Sequence, residues 1–255
     1  MSWQRVETIA LDIDTGVSRA RADAIAEALS KRAVPLLVRR DGRAEPLASG
    51  ALYTAGRQLV LVTCRHVFDD GVTLGDLGVP LAHGGPVLWL RDARVRLLSH
   101  PLRDLAAIAI ASTRAMRESM RHWHAQPLEE LISDNDANIF VLAGYPYAQM
   151  RRVDAVMHAR PVVVFARAFA APPGELRLVY ARTARRVDGL LVHAPALDGV
   201  SGATMWAVHE NEHGCVLQPA AIQCAFKHDA YLRGEPMFAF GAHVAAILRE
   251  GRQCA

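Results

Sequence analysis

The residue best suited to chemistry in this chain is a serine between glycines, in the stretch Asp198-Gly199-Val200-Ser201-Gly202. Apolar runs typical of strands precede and follow this stretch, so the pattern predicts a tight turn between two strands. Glycine permits the unusual backbone angles of such a turn and lets a substrate approach the main chain closely. The turn would present the Ser201 hydroxyl beside main-chain amides, as an acyl-transfer nucleophile requires. The same short pattern also occurs in ordinary loops, so Ser201 is a candidate nucleophile only if a general base accompanies it.

A histidine and an aspartate are the candidate partners of this serine. His66 follows the apolar run Leu59 to Val62 and so sits at a strand end, where side chains commonly face a cleft. Asp104 directly precedes the apolar run Leu105 to Ile110, at the start of a predicted strand. A carboxylate there is costly to bury unless a partner hydrogen-bonds it, and an imidazole N–H is a suitable donor. The three side chains could therefore act as nucleophile, general base and orienting acid.

The elements that position these residues are mostly predicted strands. The spacing of apolar residues predicts an amino-terminal helix from Ser18 to Arg32, capped by Ser18, and a closing helix from Ala242 to about Arg249. A polar stretch at about residues 113–133 connects two halves. Short apolar runs predict strands at residues 34–38, 51–54, 59–63, 87–90, 95–98, 105–110, 139–143, 153–157, 162–165, 176–180, 190–193, 205–208, 215–226 and 237–240. This rhythm favours an all-β sandwich or pair of barrels.

Composition narrows the class of protein. The chain has 255 residues, 51% of them hydrophobic, which is enough for one large domain or two lobes. Its formal net charge is +3 and its basic residues are scattered among acids, so we expect no nucleic-acid partner. No run is long enough to span a bilayer and the amino terminus lacks a secretory pattern, so we expect no membrane partner and a cytoplasmic location. The four cysteines form no CxxC pair, and we expect reduced thiols.

Taken together, these landmarks resemble the trypsin-like (chymotrypsin-fold) serine peptidases. The segments Leu61-Val62-Thr63-Cys64-Arg65-His66-Val67, Asp104-Leu105-Ala106 and Gly199-Val200-Ser201-Gly202 are similar to the family's Val-Thr-Ala-Ala-His, Asp-(Ile/Leu)-Ala and Gly-Asp-Ser-Gly. Ala143-Gly144-Tyr145-Pro146 resembles the turn that opens the second barrel in many bacterial members. The resemblance covers about residues 33–249.

This resemblance implies two antiparallel six-stranded β-barrels with the active site between them. We expect an N-terminal helical extension at residues 1–32 and a first barrel lobe at residues 33–126, which carries His66 and Asp104. A second barrel lobe with the closing helix would occupy residues 127–255 and carry Ser201.

The resemblance also implies roles for individual residues. Ser201 would attack a peptide carbonyl, His66 would take and return the proton, and Asp104 would fix the imidazole tautomer. The amides of Gly199 and Ser201 would hold the oxyanion. The expected partner is a protein or peptide substrate, with a regulatory protein as a further candidate, and no metal or other cofactor is needed.

The substrate pocket follows from the same resemblance. Pro195 occupies the position at the base of the primary pocket, where some members have an aspartate that selects lysine or arginine. The opposite wall would come from Gln223, Cys224 and Ala225. An entering cation would lose hydration without gaining a counter-charge, so we expect a preference for uncharged side chains.

Two departures from the family pattern bear on regulation. Secreted animal members have an aspartate before the serine that pairs with a newly cut amino terminus, whereas this chain has Val200. They also have a cysteine after the histidine, where this chain has Val67. Both departures suit a bacterial intracellular relative, and we expect no activation by amino-terminal cleavage.

Three alternatives stay open at this point. His209-Glu210-Asn211-Glu212-His213 fits the His-Glu-x-x-His pattern of zinc metallopeptidases, with His209 and His213 as ligands, Glu210 as general base and Glu235 as a conceivable third ligand. Its flanks, however, look like two strands joined by a polar turn. The chain could also be a chymotrypsin-fold binding or sensor module that does not cut its ligand. An α/β-hydrolase is disfavoured because Ala203 breaks Gly-x-Ser-x-Gly.

Overall fold

The structure is a computed structural model and describes residues 7–10, 18–56, 58–111, 114, 118, 121–128, 137–153, 156–186, 188–211, 214–238, 240–242, 244 and 248. Helix α1 spans Arg19–Ser30. The described strands are β1 (Glu7–Ala10), β2 (Ala33–Arg40), β3 (Arg43–Ala55), β4 (Gln58–Thr63), β5 (Leu77–Pro80), β6 (Val87–Trp89), β7 (Val95–Ser99), β8 (Ala106–Ile110), β9 (Gln126–Pro127), β10 (Ile139–Gly144), β11 (Met150–Val153), β12 (Val156–Ala159), β13 (Val162–Arg167), β14 (Leu176–Tyr180), β15 (Thr183–Arg186), β16 (Leu191–His193), β17 (Thr204–Asn211), β18 (Gly214–Lys227) and β19 (Ala230–Pro236).

These strands form two curled sheets. The first has the order β6-β5-β2-β3-β4-β8-β7, with β9 paired beside β3, and the second has the order β14-β19-β18-β17-β10-β13-β1-β15-β16. The described pairings within them are antiparallel, except that β1 pairs with β13 and β9 with β3 in parallel. Strands β11 and β12 form a separate hairpin. The predicted all-β, chymotrypsin-like class is therefore confirmed.

The sheets contain eight and nine described strands instead of the six expected for each barrel. Part of the excess comes from β1, which the sequence analysis did not predict. This strand inserts between β13 and β15 of the second sheet, with Glu7 opposite Val162. Strand β9 spans the boundary expected at residues 126 and 127 and pairs with Tyr53 and Thr54 of the first sheet. The proposed division into lobes stays a prediction.

Two hydrophobic clusters hold the sheets together. The first fills the space within the first sheet and reaches the facing side of the second, through residues such as Val141 and Trp206. The second fills the interior of the second sheet and includes Phe140 and Leu142. Because side chains alternate along a strand, β10 contributes to both clusters from its two faces. The second sheet is thus packed against the first along β10.

The amino-terminal helix was predicted correctly. Ser18 caps α1, since its side chain accepts a hydrogen bond from the Arg21 N–H at 3.4 Å. The buried face of α1 consists of Ala22, Ile25, Ala26 and Leu29, which join the first cluster. No described helix is both long and apolar enough to cross a membrane.

Two strand predictions were wrong. Residues 153–157 do not form one strand, because β11 ends at Val153 and β12 begins at Val156 in an antiparallel hairpin. Residues 237–240 do not form a strand either, since Phe238 and Phe240 are already helical. Short apolar runs fit a strand or a buried helix equally well, so their periodicity could not decide.

The closing helix begins earlier than expected. Phe238, Phe240, Gly241, Ala242, Val244 and Leu248 are helical, and Phe240, Val244 and Leu248 join the first cluster. Ile247 and Arg249, which the predicted helix also contained, lie outside the described residues.

Candidate active site

His66 and Asp104 form a hydrogen-bonded pair at one end of the first sheet. A short 3₁₀ helix at Arg65–Phe68 follows β4 and carries His66, and the loop before β8 carries Asp104. The Nδ1 atom of His66 lies 2.6 Å from Oδ2 of Asp104, and the His66 N–H donates to Oδ1 at 2.9 Å. The two hydrogen bonds hold the carboxylate against both the imidazole and its backbone. The structure thus brings together two of the three predicted site residues, His66 and Asp104, in direct contact.

This pairing changes the acidity of both groups. The side-chain hydrogen bond that the Asp104 carboxylate accepts from His66 raises the pKa of His66 above its ordinary value of 6.5, in opposition to burial and to the positive charge of Arg233. Burial acts to raise the pKa of Asp104, but hydrogen bonds from the His66 side chain and main chain outweigh it and lower that pKa. Asp104 is thus an ionised acceptor, and His66 is a base of increased strength.

The Ser201 turn is hydrogen-bonded to β3 of the first sheet and to β18 of the second. The carbonyl oxygen of Gln223 in β18 accepts hydrogen bonds from the Gly202 N–H at 2.7 Å and from the Cys64 thiol at 3.1 Å. The Ser49 N–H in β3 donates to the Ser201 carbonyl at 2.8 Å. These bonds link the turn to both sheets and place it beside Cys64, two residues before His66. The Ser201 hydroxyl itself forms no hydrogen bond with the described part of the chain.

Gly202 is required by this close contact. Its φ is +94°, in the region that favours glycine, and a Cβ atom there would overlap the Ser49 carbonyl oxygen and the Thr63 hydroxyl. Gly199 has a φ of +92°, and a Cβ atom there would overlap the Tyr147 ring. The two glycines therefore let the turn pack directly against the first sheet and the segment after β10.

Two main-chain N–H groups of the turn are free to act as donors. Those of Gly199 and Ser201 have no hydrogen-bond acceptor among the described residues, whereas the neighbouring Val200 N–H donates to the Leu197 carbonyl at 2.9 Å. An anionic oxygen placed near both free groups would satisfy them. This is the pair of donors that the sequence analysis proposed for an oxyanion.

The predicted pocket residues lie in different environments. The Tyr180 hydroxyl donates to the carbonyl oxygen of Pro195. Gln223 is fully buried, and its amide oxygen and nitrogen have no partner in the described structure. Cys224 is buried beside Arg233, whose Nε lies 3.3 Å from the thiol. Ala225 lies beyond a bulge in β18 and is only partly buried. None of these four described residues forms an ion pair.

The cysteines pack as small apolar groups. Cys64 and Cys224 are buried, Cys215 is partly buried, and these three form no disulfide, while Cys254 lies outside the described residues. Burial raises the pKa of the Cys64 thiol well above its ordinary value and raises that of Cys224 to about 11. Donor atoms of Cys64, His66 and Asp104 lie within 4.8 Å of one another. With its raised pKa, the Cys64 thiol stays protonated and donates to Gln223, so this cluster is the His66–Asp104 pair with a neutral neighbour.

The His-Glu-x-x-His segment does not form the helix that a zinc site would need. His209, Glu210 and Asn211 belong to β17, and β18 resumes at Gly214 in an antiparallel hairpin with Asn211 opposite Gly214. His213 lies outside the described residues. Glu235, the further candidate ligand, instead forms an ion pair with Arg103 at 3.1 Å.

Sequence reasoning missed the supports of the turn. Ser49 and Thr63 contact it from the first sheet, and Tyr147 contacts it from the segment after β10. Ser49 and Thr63 in strands and Tyr147 in a short 3₁₀ helix follow no recognisable spacing pattern. The Gly144-Tyr145-Pro146 turn was noted only for its resemblance to a family motif.

Comparisons with known proteins support the fold. No protein-family model and no curated protein matches the chain. Among solved structures, the thermostable serine protease AL20 from an extremophilic microorganism is 13% identical, with 86% of this chain and 96% of that chain covered and a TM-score of 0.51. A structure from work on the coupled folding and binding of the intrinsically disordered Sesbania mosaic virus VPg protein is 14% identical, with 82% and 89% covered and a TM-score of 0.48. The match to the serine protease structure shows that the chain has a chymotrypsin-like fold.

Proposed function

We propose that this protein is a serine endopeptidase. The observation that carries the proposal is the turn beside the His66–Asp104 pair, which holds Ser201 and leaves the N–H groups of Gly199 and Ser201 without acceptors in the described chain. A nucleophile, an oriented base and two oxyanion donors are the groups that acyl transfer needs.

The reaction would proceed through an acyl-enzyme. His66 takes the proton of the Ser201 hydroxyl as the oxygen attacks the peptide carbonyl, and the resulting oxyanion accepts from Gly199 and Ser201. The imidazolium, stabilised by Asp104, then gives the proton to the leaving amine as the peptide bond breaks. Water attacks the ester by the same route and releases the second product and free Ser201.

Labelling with a fluorophosphonate tests this proposal. We expect wild-type protein to form one covalent adduct on Ser201, because the probe requires an activated serine. His66→Ala should remove the labelling while leaving the fold, and intact-mass measurement with peptide mapping would locate the adduct. Adduct formation on another residue, or none at all, would contradict the proposal.

A second candidate is a binding module with the same fold and no catalysis. It is favoured by one observation, that the Ser201 hydroxyl has no hydrogen bond to His66 in the described structure. Hydrogen bonds of catalytic groups are often long before substrate binds, so this geometry does not exclude catalysis. Failure of the wild-type protein to react with the probe, together with binding of peptides, would favour this candidate.

The pH dependence of activity tests the role of Asp104. Only neutral His66 can accept a proton, and its hydrogen bond to the Asp104 carboxylate raises its pKa, so kcat/KM should fall as pH decreases through a midpoint above 6.5. Asp104→Asn removes the charge, so the midpoint should move down and kcat should fall by about 10⁴. Asp92→Asn, at an exposed aspartate beside Arg91, is the matched control and should leave the profile unchanged. An unchanged midpoint in Asp104→Asn would show that Asp104 does not tune His66.

Cleavage specificity tests the proposed pocket. We expect cleavage after uncharged residues and little after lysine or arginine, because Pro195, Gln223, Cys224 and Ala225 offer no counter-charge to a desolvated cation. An apolar side chain would gain roughly 1–3 kcal/mol from burial. Profiling against a peptide library measures this preference, and dominant cleavage after arginine would show that the pocket lies elsewhere.

A further inference from the structure

Ser49 lies in β3, fully buried where the first sheet meets the Ser201 turn. Its N–H donates to the Ser201 carbonyl at 2.8 Å, and its hydroxyl donates to the Gly199 carbonyl at 2.9 Å. The same hydroxyl accepts from the Tyr145 N–H at 2.9 Å, and the Ser49 carbonyl accepts from the Thr63 hydroxyl at 2.8 Å. Every polar atom of Ser49 is therefore engaged, and two of its bonds go to the turn.

These two bonds fix peptide units that flank the Ser201 N–H. A peptide unit is planar and trans, so its C=O and N–H point in opposite directions and turn together. Ser49 holds the unit that joins Gly199 to Val200 and the unit that joins Ser201 to Gly202. The Ser201 N–H belongs to the unit between them. That unit is held within the turn, because its Val200 carbonyl accepts from the Ala203 N–H at 3.0 Å, and Ser49 anchors the units on either side of it to the first sheet.

The Gly199 N–H is held in place by the segment that follows β10. It belongs to the same peptide unit as the Asp198 carbonyl, which accepts from the Tyr147 N–H at 2.8 Å. Tyr145 and Tyr147 both lie in the segment that follows β10. The Ser49 hydroxyl, which accepts from Tyr145 and donates to Gly199, thus joins this segment to the turn.

Charge does not position this turn. Val200 is buried in the second hydrophobic cluster, and its Cγ1 lies so close to Gly144 that a Cβ atom there would be 2.6 Å away. Among the described residues, none from 197 to 203 forms an ion pair. Hydrogen bonds and apolar packing are the forces that hold the oxyanion donors.

We infer that the Ser49 hydroxyl is a positioning group that keeps the Gly199 and Ser201 N–H groups directed toward the oxyanion. This inference rests on the proposed peptidase function. The Ser49 hydroxyl supports the turn through a hydrogen bond inside the fold. This bond takes the place of an ion pair between a charged residue at position 200 and a freed amino terminus. The donors are then in place without a cleavage step.

The substitution Ser49→Ala removes the hydroxyl and keeps both main-chain bonds of residue 49. With an N-acylated peptide nitroanilide that carries leucine before the scissile bond, we expect kcat to fall about 30-fold and KM to change less than about threefold. Affinity for a peptide boronic acid, whose tetrahedral adduct occupies the oxyanion position, should fall in parallel with kcat/KM. Loss of stability alone would not produce this split between kcat and KM.

Tyr53→Phe is the matched control. The Tyr53 hydroxyl is also buried in β3, where it contacts the Thr204 hydroxyl at 2.7 Å and Met237 Sδ at 3.4 Å, and it makes no described contact with residues 197–202. Its loss should lower the melting temperature as Ser49→Ala does, with kcat unchanged. If Ser49→Ala does not fold, Ser49→Cys keeps a side chain of the same shape, slightly larger and with a weaker donor, and the same reduction in kcat is expected.

The peptidase function and the positioning role of Ser49 are tested by different results. Wild-type protein that does not react with a fluorophosphonate overturns both. An active wild type, with a folded Ser49→Ala or Ser49→Cys variant whose kcat is within threefold of it, overturns the positioning role alone. Equal losses in Ser49→Ala and Tyr53→Phe would overturn it as well, since that result assigns the effect to general destabilisation.

Discussion

Replacing Ser201 with alanine is expected to reduce peptide hydrolysis by about a millionfold while leaving the fold intact. The reason is that Ser201 supplies the only proposed nucleophile, and the remaining groups of the site cannot form an acyl-enzyme. Its hydroxyl makes no hydrogen bond with the described residues, so its loss removes no described hydrogen bond. Initial rates with a fluorogenic peptide and the melting temperature are the two measurements.

Ser30→Ala is the control for a generic loss of a serine hydroxyl. Ser30 ends α1, where its hydroxyl donates to the Glu27 carbonyl at 2.7 Å, far along the chain from the site. This variant should keep wild-type rates. Turnover retained in a verified Ser201→Ala preparation would refute the assignment of the nucleophile.

Gly202→Ala is expected to have the largest effect on stability. The substitution places a Cβ atom onto the Ser49 carbonyl oxygen and the Thr63 hydroxyl, and the φ of +94° is one that alanine rarely adopts. The obstructing atoms belong to β3 and β4 in the core of the first sheet, so neither can move aside cheaply. We expect unfolding to become easier by about 4 kcal/mol or more, measured by urea denaturation.

Gly42→Ala separates backbone strain from steric overlap. Gly42 also has a positive φ, +74°, but nothing lies within 4 Å of the position where its Cβ would stand. This variant should lose only about 1–2 kcal/mol, the cost of the left-handed conformation. Equal losses in the two variants would mean that the Ser201 turn does not press against the first sheet as described.

Local patterns were enough to predict much of the fold. Alternation and turn residues located most strands, because each apolar run is bounded by residues that break it. Helical spacing and a capping serine located α1 for the same local reason. Strand β1 was not predicted, because a four-residue strand is stabilised mainly by its neighbours in the sheet, here β13 and β15.

Two histidine segments show what local sequence patterns could not predict. His209 to His213 matched a zinc motif letter by letter, but the pairing of β17 with β18 places Asn211 opposite Gly214 and prevents a helix there. The zinc motif can bind a metal only on a helix, which places its two histidines on one face. Here long-range strand pairing decided the secondary structure instead. His66 stands in a segment that only resembles a family motif, yet its pair with Asp104, 38 residues away, forms at 2.6 Å.

The sequence by itself determined the class of fold, the amino-terminal helix and the residue types available for acyl transfer, because these depend on local spacing and on the chemistry of single side chains. Only the tertiary structure decided what holds the Ser201 turn. Ser49 is 150 residues from Gly199 along the chain, and its hydroxyl reaches the Gly199 carbonyl because β3 packs against the turn. Such contacts depend on the register and packing of two sheets, which no spacing along one chain encodes.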